Sequence, residues 1–223
     1  MGQEKGGQRA IFYFGKGITR SVVCVAPVLE MSSFLVKKIE RLVSDLLPPD
    51  VLDHCLRVRK NALKIAKDER IGEEATEIVE LAALLHDLAY STSEIAVDHA
   101  TKSAKMTRDI LIDFEAPSMR VERVCHCIEC HSLFSGMKPK SAEARILFDA
   151  NALELLGPVG IIRLCLSTRG AEDTAAASVA HKLRAYGLRH YEAMHTSRAK
   201  KIAKAGWAFE DVFFRKLKRQ LEA

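Results

Sequence analysis

The sequence has no apolar run long enough to cross a bilayer, no glycine-rich phosphate loop, no dinucleotide-binding fingerprint and no serine nucleophile elbow. Those absences exclude an integral membrane helix bundle, the common nucleotide cradles and an α/β-hydrolase triad. Aromatic residues make up only 6%, with one tryptophan, and the six cysteines are scattered without a paired framework. Such cysteines read as reduced thiols of a cytoplasmic protein. A surplus of positive charge is also confined to one place. Arg198 to Ala223 carries eight basic and three acidic residues, a surplus equal to the net charge of +5 for the whole chain. The remainder is balanced, which argues against a protein-wide nucleic-acid surface.

What is present is globular: 223 residues, 48% hydrophobic and 28% charged, enough for one well-buried domain with a short appendage. Residues 1–31 form a glycine-broken extension. It is readable as a short β-hairpin (Ile11–Phe14 with Val22–Val28) or as a disordered segment, and Met31 is an alternative start. A signal peptide is disfavoured, because the run Val22–Leu29 is short, cut by Pro27 and followed by Glu30. From Ser32 onward the spacing is helical throughout, and no alternating strand pattern appears, so the fold is read as all-α. Ser33 caps a first helix that Pro48-Pro49 stops, and a second helix from near Asp50 ends at Gly72. Further helices are expected over Glu73–Leu88, Ile95–Phe114, Ser118–His131, Ala142–Leu156, Ile161–Thr168, Glu172–Leu188 and Tyr191–Leu221.

The chemistry-bearing residues fall on the apolar faces of these helices. His54 lies between Val51 and Val58, His86-Asp87 closes the most hydrophobic helix, and Asp149 ends Ile146-Leu147-Phe148. Burying unpaired imidazoles and carboxylates costs several kcal/mol each, so about four of them on three core helices call for a shared partner such as a cation. His131 faces the core side of its helix and His99 opens another. His126 lies about 140° around an ideal helix from His131, on a polar face. Arg57, one turn after His54, and Lys138 in the Ser132–Ser141 loop are candidate phosphate partners. Cys125, Cys127 and Cys130 read as packed thiols rather than a zinc site, because no second ligand pair matches them. The aromatic residues of the last helix are expected to pack on the bundle with its lysines in water.

His54, then Ala-Leu-Leu-His86-Asp87, then Asp149, resemble the H…HD…D signature of the HD superfamily of metal-dependent phosphohydrolases. Val124-Cys-His126-Cys-Ile-Glu-Cys-His131-Ser132 and Asp149-Ala-Asn-Ala-Leu-Glu154-Leu-Leu-Gly157-Pro-Val-Gly160-Ile-Ile-Arg163 resemble two longer segments of its bacterial subgroup. The resemblance implies an HD-type helical bundle over residues 32–170, with residues 171–223 as C-terminal helices packed on it. It implies that His54, His86, Asp87 and Asp149 bind a divalent cation (Mn, Fe, Mg or Zn), with Asp87 orienting the attacking water. His99 and His131 are then a second metal pair or phosphate contacts, and Arg57, His126, Lys138 and Glu154 contact substrate. The implied activity is cleavage of phosphoester or pyrophosphate bonds in small phosphorylated metabolites or nucleotides, without membrane or nucleic-acid partners. Members of the family often carry aspartate and arginine where this chain has Asn151 and Ala152, which favours the alternative of a catalytically silent nucleotide- or partner-binding module.

Overall fold

Apolar residues recurring every three to four positions put nine α-helices into the computed structural model, which describes residues 28–92, 98–167 and 175–222. They are α1 (Val28–Leu46), α2 (Pro49–Glu69), α3 (Glu73–Leu85), α4 (His99–Asp113), α5 (Ser118–Glu129), α6 (Ala142–Leu153), α7 (Gly157–Ser167), α8 (Ala176–Ala193) and α9 (Ser197–Leu221). Short 3-10 turns follow α3 and α5. No strand occurs among the described residues, and the expected N-terminal hairpin lies outside them. No single described helix is long and apolar enough to cross a membrane.

The bundle is built around α3. Ile78, Val79, Leu81, Ala82, Ala83, Leu84 and Leu85 are all fully buried, and the one polar residue of the last two turns, Glu80, is paired with Arg59 of α2. Helices α1, α2, α5 and α6 enclose it, and α4 pairs with α5. Burying side chains of this size contributes about 1.5–3 kcal/mol each, which is what fixes the end of α3 and the residues that follow.

Several boundaries depart from the sequence reading. With no glycine or proline between Pro27 and Leu46, α1 runs past Ser33 to Val28. Pro49 starts α2 rather than only stopping α1, because a first-turn proline gives up an N–H that has no partner there anyway. The left-handed residue ending α2 is Arg70 (φ 55°), while Gly72 has ordinary extended backbone and precedes α3. The break between α8 and α9 falls at Met194–Thr196 instead of after Leu188, set by the Thr196 hydroxyl accepting from the Ala199 N–H at 3.2 Å.

The turn into α7 explains the two glycines of the Gly157-Pro-Val-Gly160 segment. Gly157 has φ +76°, and its N–H donates to the buried Glu210 carboxylate of α9 at 2.8 Å. A Cβ on Gly160 would stand 2.3 Å from the Leu155 carbonyl carbon, so the backbone itself would have to move. Gly160→Ala is therefore expected to cost about 1–3 kcal/mol of stability, read as a lowered urea midpoint at unchanged slope. An unchanged midpoint would show that the α6–α7 turn yields without cost.

Candidate metal centre

The α2 helix buries Cys55, Val58, Ala62 and Ile65 against the core, and the same face carries His54 inward. At the end of α3 the chain leaves the helix at His86. Asp87, at φ −108° and ψ 22°, turns into the Leu88–Ser91 3-10 segment. That turn is held by the Ala89 N–H donating to the buried Ser103 hydroxyl of α4 at 3.0 Å. The same region receives His99 from the first turn of α4 and His131 from just beyond α5.

These side chains converge as two triads sharing one carboxylate. Asp87 Oδ2 lies 3.6 Å from His54 Nε2 and 3.5 Å from His86 Nε2. Asp87 Oδ1 lies 3.7 Å from His131 Nε2 and 3.9 Å from His99 Nε2. Within each triad the imidazoles face each other through Nε2 at 3.2 Å. His86 Nδ1 donates to the Ala83 carbonyl at 2.9 Å and His131 Nδ1 to the Ile128 carbonyl at 2.6 Å. A carbonyl only accepts, so each Nε2 of the neutral rings presents a lone pair toward the centre.

The charge state agrees with that tautomer. Burial holds His86 down to about 4 and His131 down to about 3, so both are neutral near pH 7. Burial alone would raise Asp87, but the surrounding imidazoles outweigh it and hold the carboxyl at about 2, so it is anionic. His54 Nδ1 is buried without a hydrogen-bond partner. Lone pairs converging on an anionic carboxylate in a largely buried cluster are the electronic demand of a divalent cation, and the donor set of imidazole plus carboxylate suits Mn²⁺, Fe²⁺ or Zn²⁺. The residues present fit such an ion.

The other expected site residues are distributed unequally. Glu154, at the end of α6, lies 3.7 Å from His54 Nδ1, accepts from Arg57 Nε at 2.6 Å and is 3.5 Å from Asn61 Nδ2. Arg57 is thus engaged with a protein carboxylate beside the triads. Asp149 is fully buried but stands outside both triads. Its two oxygens accept the backbone N–H groups of His195 at 2.8 Å and Thr196 at 2.6 Å. Two residues on, Asn151 Nδ2 donates to the His131 carbonyl at 3.3 Å, so the α6 position nearest the second triad is uncharged. His126 is occupied by the Cys130 thiol (3.7 Å) and the Lys140 N–H (3.4 Å), and Lys138 is exposed. Cys55, Cys125, Cys127 and Cys130 are buried free thiols, as read from the sequence.

Residues the sequence reading passed over complete the rim. Tyr90 lies 5.6 Å from the His99 ring, and Phe134, three residues after His131, stacks on Tyr186 at 5.5 Å. Nothing in the local spacing marks them, because they come from three unconnected segments.

Comparison with known proteins bears on this geometry. The HD domain family model matches residues 51–156. The uncharacterized protein YpgQ of Bacillus subtilis is 30% identical over 180 residues, which cover 75% of this chain and 82% of that protein. The crystal structure of B. subtilis YpgQ in complex with ADP has a TM-score of 0.68 at 26% identity, covering 85% of this chain and 97% of that one. An HD-superfamily hydrolase from Bacillus thuringiensis superposes with a TM-score of 0.65 at 24% identity, covering 86% and 99%.

Proposed function

Because this chain belongs to the HD domain family and has the fold of HD-superfamily hydrolases, we propose that it is a metal-dependent phosphohydrolase acting on small phosphate esters or nucleotides. The observation that carries the reading is the shared carboxylate, with each Asp87 oxygen facing its own pair of imidazoles. His54, His86 and Asp87 would hold one cation, and His99, His131 and the second oxygen of Asp87 a further one. A bound divalent ion would supply positive charge that offsets the negative charge of the phosphate and would ease loss of a proton from water.

The remaining work falls to the chain's own side chains. Asp87, anionic well below neutral pH, fixes the cation end of the site and orients the attacking water. Glu154 faces His54 Nδ1 at 3.7 Å, placing a negative charge behind that ring, and is itself held by Arg57 and Asn61. His126 and Lys138 are assigned to the substrate's approach, from the loop side. The B. subtilis relative's complex with ADP supports a nucleotide among the substrates. The uncharged Asn151 beside His131 favours one rival, a site that binds metal and nucleotide without turning substrate over.

Elemental analysis of protein purified without chelator or metal-affinity resin, followed by a phosphoester, nucleotide and pyrophosphate panel with Mn²⁺, tests the proposal. The expected result is between one and two equivalents of divalent metal, with turnover of at least one phosphorylated compound. Metal without turnover across the panel would select the silent binding module. No metal even after Mn²⁺ loading would overturn both.

A further inference from the structure

The last helix departs from its expected packing at two of its four aromatic residues. Trp207 stacks on Tyr191 of α8 at 5.7 Å and Phe214 is buried, as rings packed on the bundle should be. Phe209 and Phe213 stay 44% and 36% exposed, stacked on each other at 6.4 Å, and Val212 between them is 47% exposed. Lys201, Ala205, Ala208, Val212, Lys216 and Arg219, all exposed, follow at three- and four-residue steps. They form one line of about 27 Å along α9, with Phe209 and Phe213 on a single edge of it.

The charge on this helix is unbalanced. Three of its eight cations have acidic partners: Arg198 with Asp68, Arg215 with Asp211 and Lys218 with Glu222. Lys200, Lys201, Lys204, Lys216 and Arg219 are exposed and make no ion pair among the described residues. The 197 residues before Arg198 carry 26 basic and 26 acidic side chains, so the positive field of the molecule is concentrated on α9.

That chemistry selects the occupant of the face. A second copy of the chain would set like charges against one another, with only Asp211 and Glu222 to meet them, and both are already paired. A nucleic acid would meet the cations but gain nothing from Val212. An anionic lipid surface meets both, because its phosphates attract lysine and arginine while its headgroup layer takes up aromatic and aliphatic side chains.

We propose that the exposed face of α9 docks this protein on an anionic lipid bilayer, with the Phe209–Val212–Phe213 edge in the headgroup layer and the unpaired cations over the lipid phosphates. The helix lies on the membrane rather than crossing it, in keeping with the absence of any single described helix fit to span one. None of these residues belongs to the two triads, so the docking surface stands apart from the metal centre.

The test is co-sedimentation of the full-length protein with vesicles of phosphatidylcholine alone and of phosphatidylcholine with roughly a third phosphatidylserine. Binding to the anionic vesicles is expected to exceed binding to the neutral ones by about tenfold or more and to fall as salt is raised. Replacing Lys201, Lys216 and Arg219 together with glutamine is expected to remove most of that preference. Phe209→Ser with Phe213→Ser is expected to weaken binding by a factor of about 3–10 and to leave its salt dependence in place. Both variants should keep wild-type circular dichroism and metal content. Equal binding to the two vesicle types, or a charge variant that binds like wild type, overturns the proposal. Absence of vesicle binding overturns it as well: a single-stranded oligonucleotide that binds instead would assign the face to nucleic acid, and concentration-dependent dimerisation abolished by the phenylalanine variant would assign it to a second copy. Should the phenylalanine variant not fold, the charge variant decides alone, since it removes no apolar group.

Discussion

Replacing Asp87 with alanine is expected to remove metal binding and hydrolysis together while leaving the helices formed. Both triads depend on this one carboxylate, since Oδ2 serves His54 and His86 and Oδ1 serves His131 and His99. Without it each triad keeps two imidazoles and no anion, too few donors to hold a hard or borderline cation against water. The residue sits past the last turn of α3, and its removal takes no apolar surface from the core. Secondary structure should therefore persist in circular dichroism. The expected loss in turnover is about a thousandfold or more, equivalent to about 4 kcal/mol of transition-state stabilisation. Asp87→Asn keeps the shape and loses the charge, so a comparable loss there would assign the effect to the anion. Unchanged turnover in verified Asp87→Ala protein would sink the phosphohydrolase reading outright.

How much of this could be read from sequence depends on how local each feature is. The all-α class was legible because apolar residues on α2, α3 and α6 repeat at helical spacing. His54 and His86-Asp87 were legible because each interrupts an otherwise apolar face, where an unpartnered polar group is expensive. Helix ends were less so. Whether Arg70 or Gly72 takes the left-handed conformation is decided by how Ile71 returns to the Ala66 carbonyl, a bond that composition does not reveal. The α8–α9 break was expected after Leu188 and falls at Met194–Thr196, because its cause lies partly in Asp149, on another helix. Tyr90 meets the His99 ring, and Phe134 the Tyr186 ring, only through the tertiary fold, with no spacing to betray them.

Asp149 shows why a buried carboxylate in a metal-like motif needs its hydrogen bonds counted before its role is assigned. It is wholly buried on α6, and both oxygens receive backbone N–H groups of the segment that joins α8 to α9. Those donors sit where α9 begins and have no partner within that helix, so the carboxylate acts as a cap supplied from a distance. Burial raises the Asp149 pKa, and the hydrogen bonds from His195 and Thr196 oppose the rise, so those two bonds are what favour the ionised form there. Asp149→Ala leaves two donors unsatisfied and is expected to cost about 3 kcal/mol of stability. Asp149→Asn keeps one acceptor but turns an amide toward the other N–H, and is expected to cost about half as much. The decisive comparison is made on metal-free protein, where a ligand has nothing to hold. A lowered urea midpoint there, with protease sensitivity first appearing at the Met194–Thr196 linker, is the signature of an anchor for α9. A metal-free midpoint equal to wild type, coupled with lost metal uptake, would return Asp149 to the ligand set and would mean that the two backbone bonds give way when the cation enters.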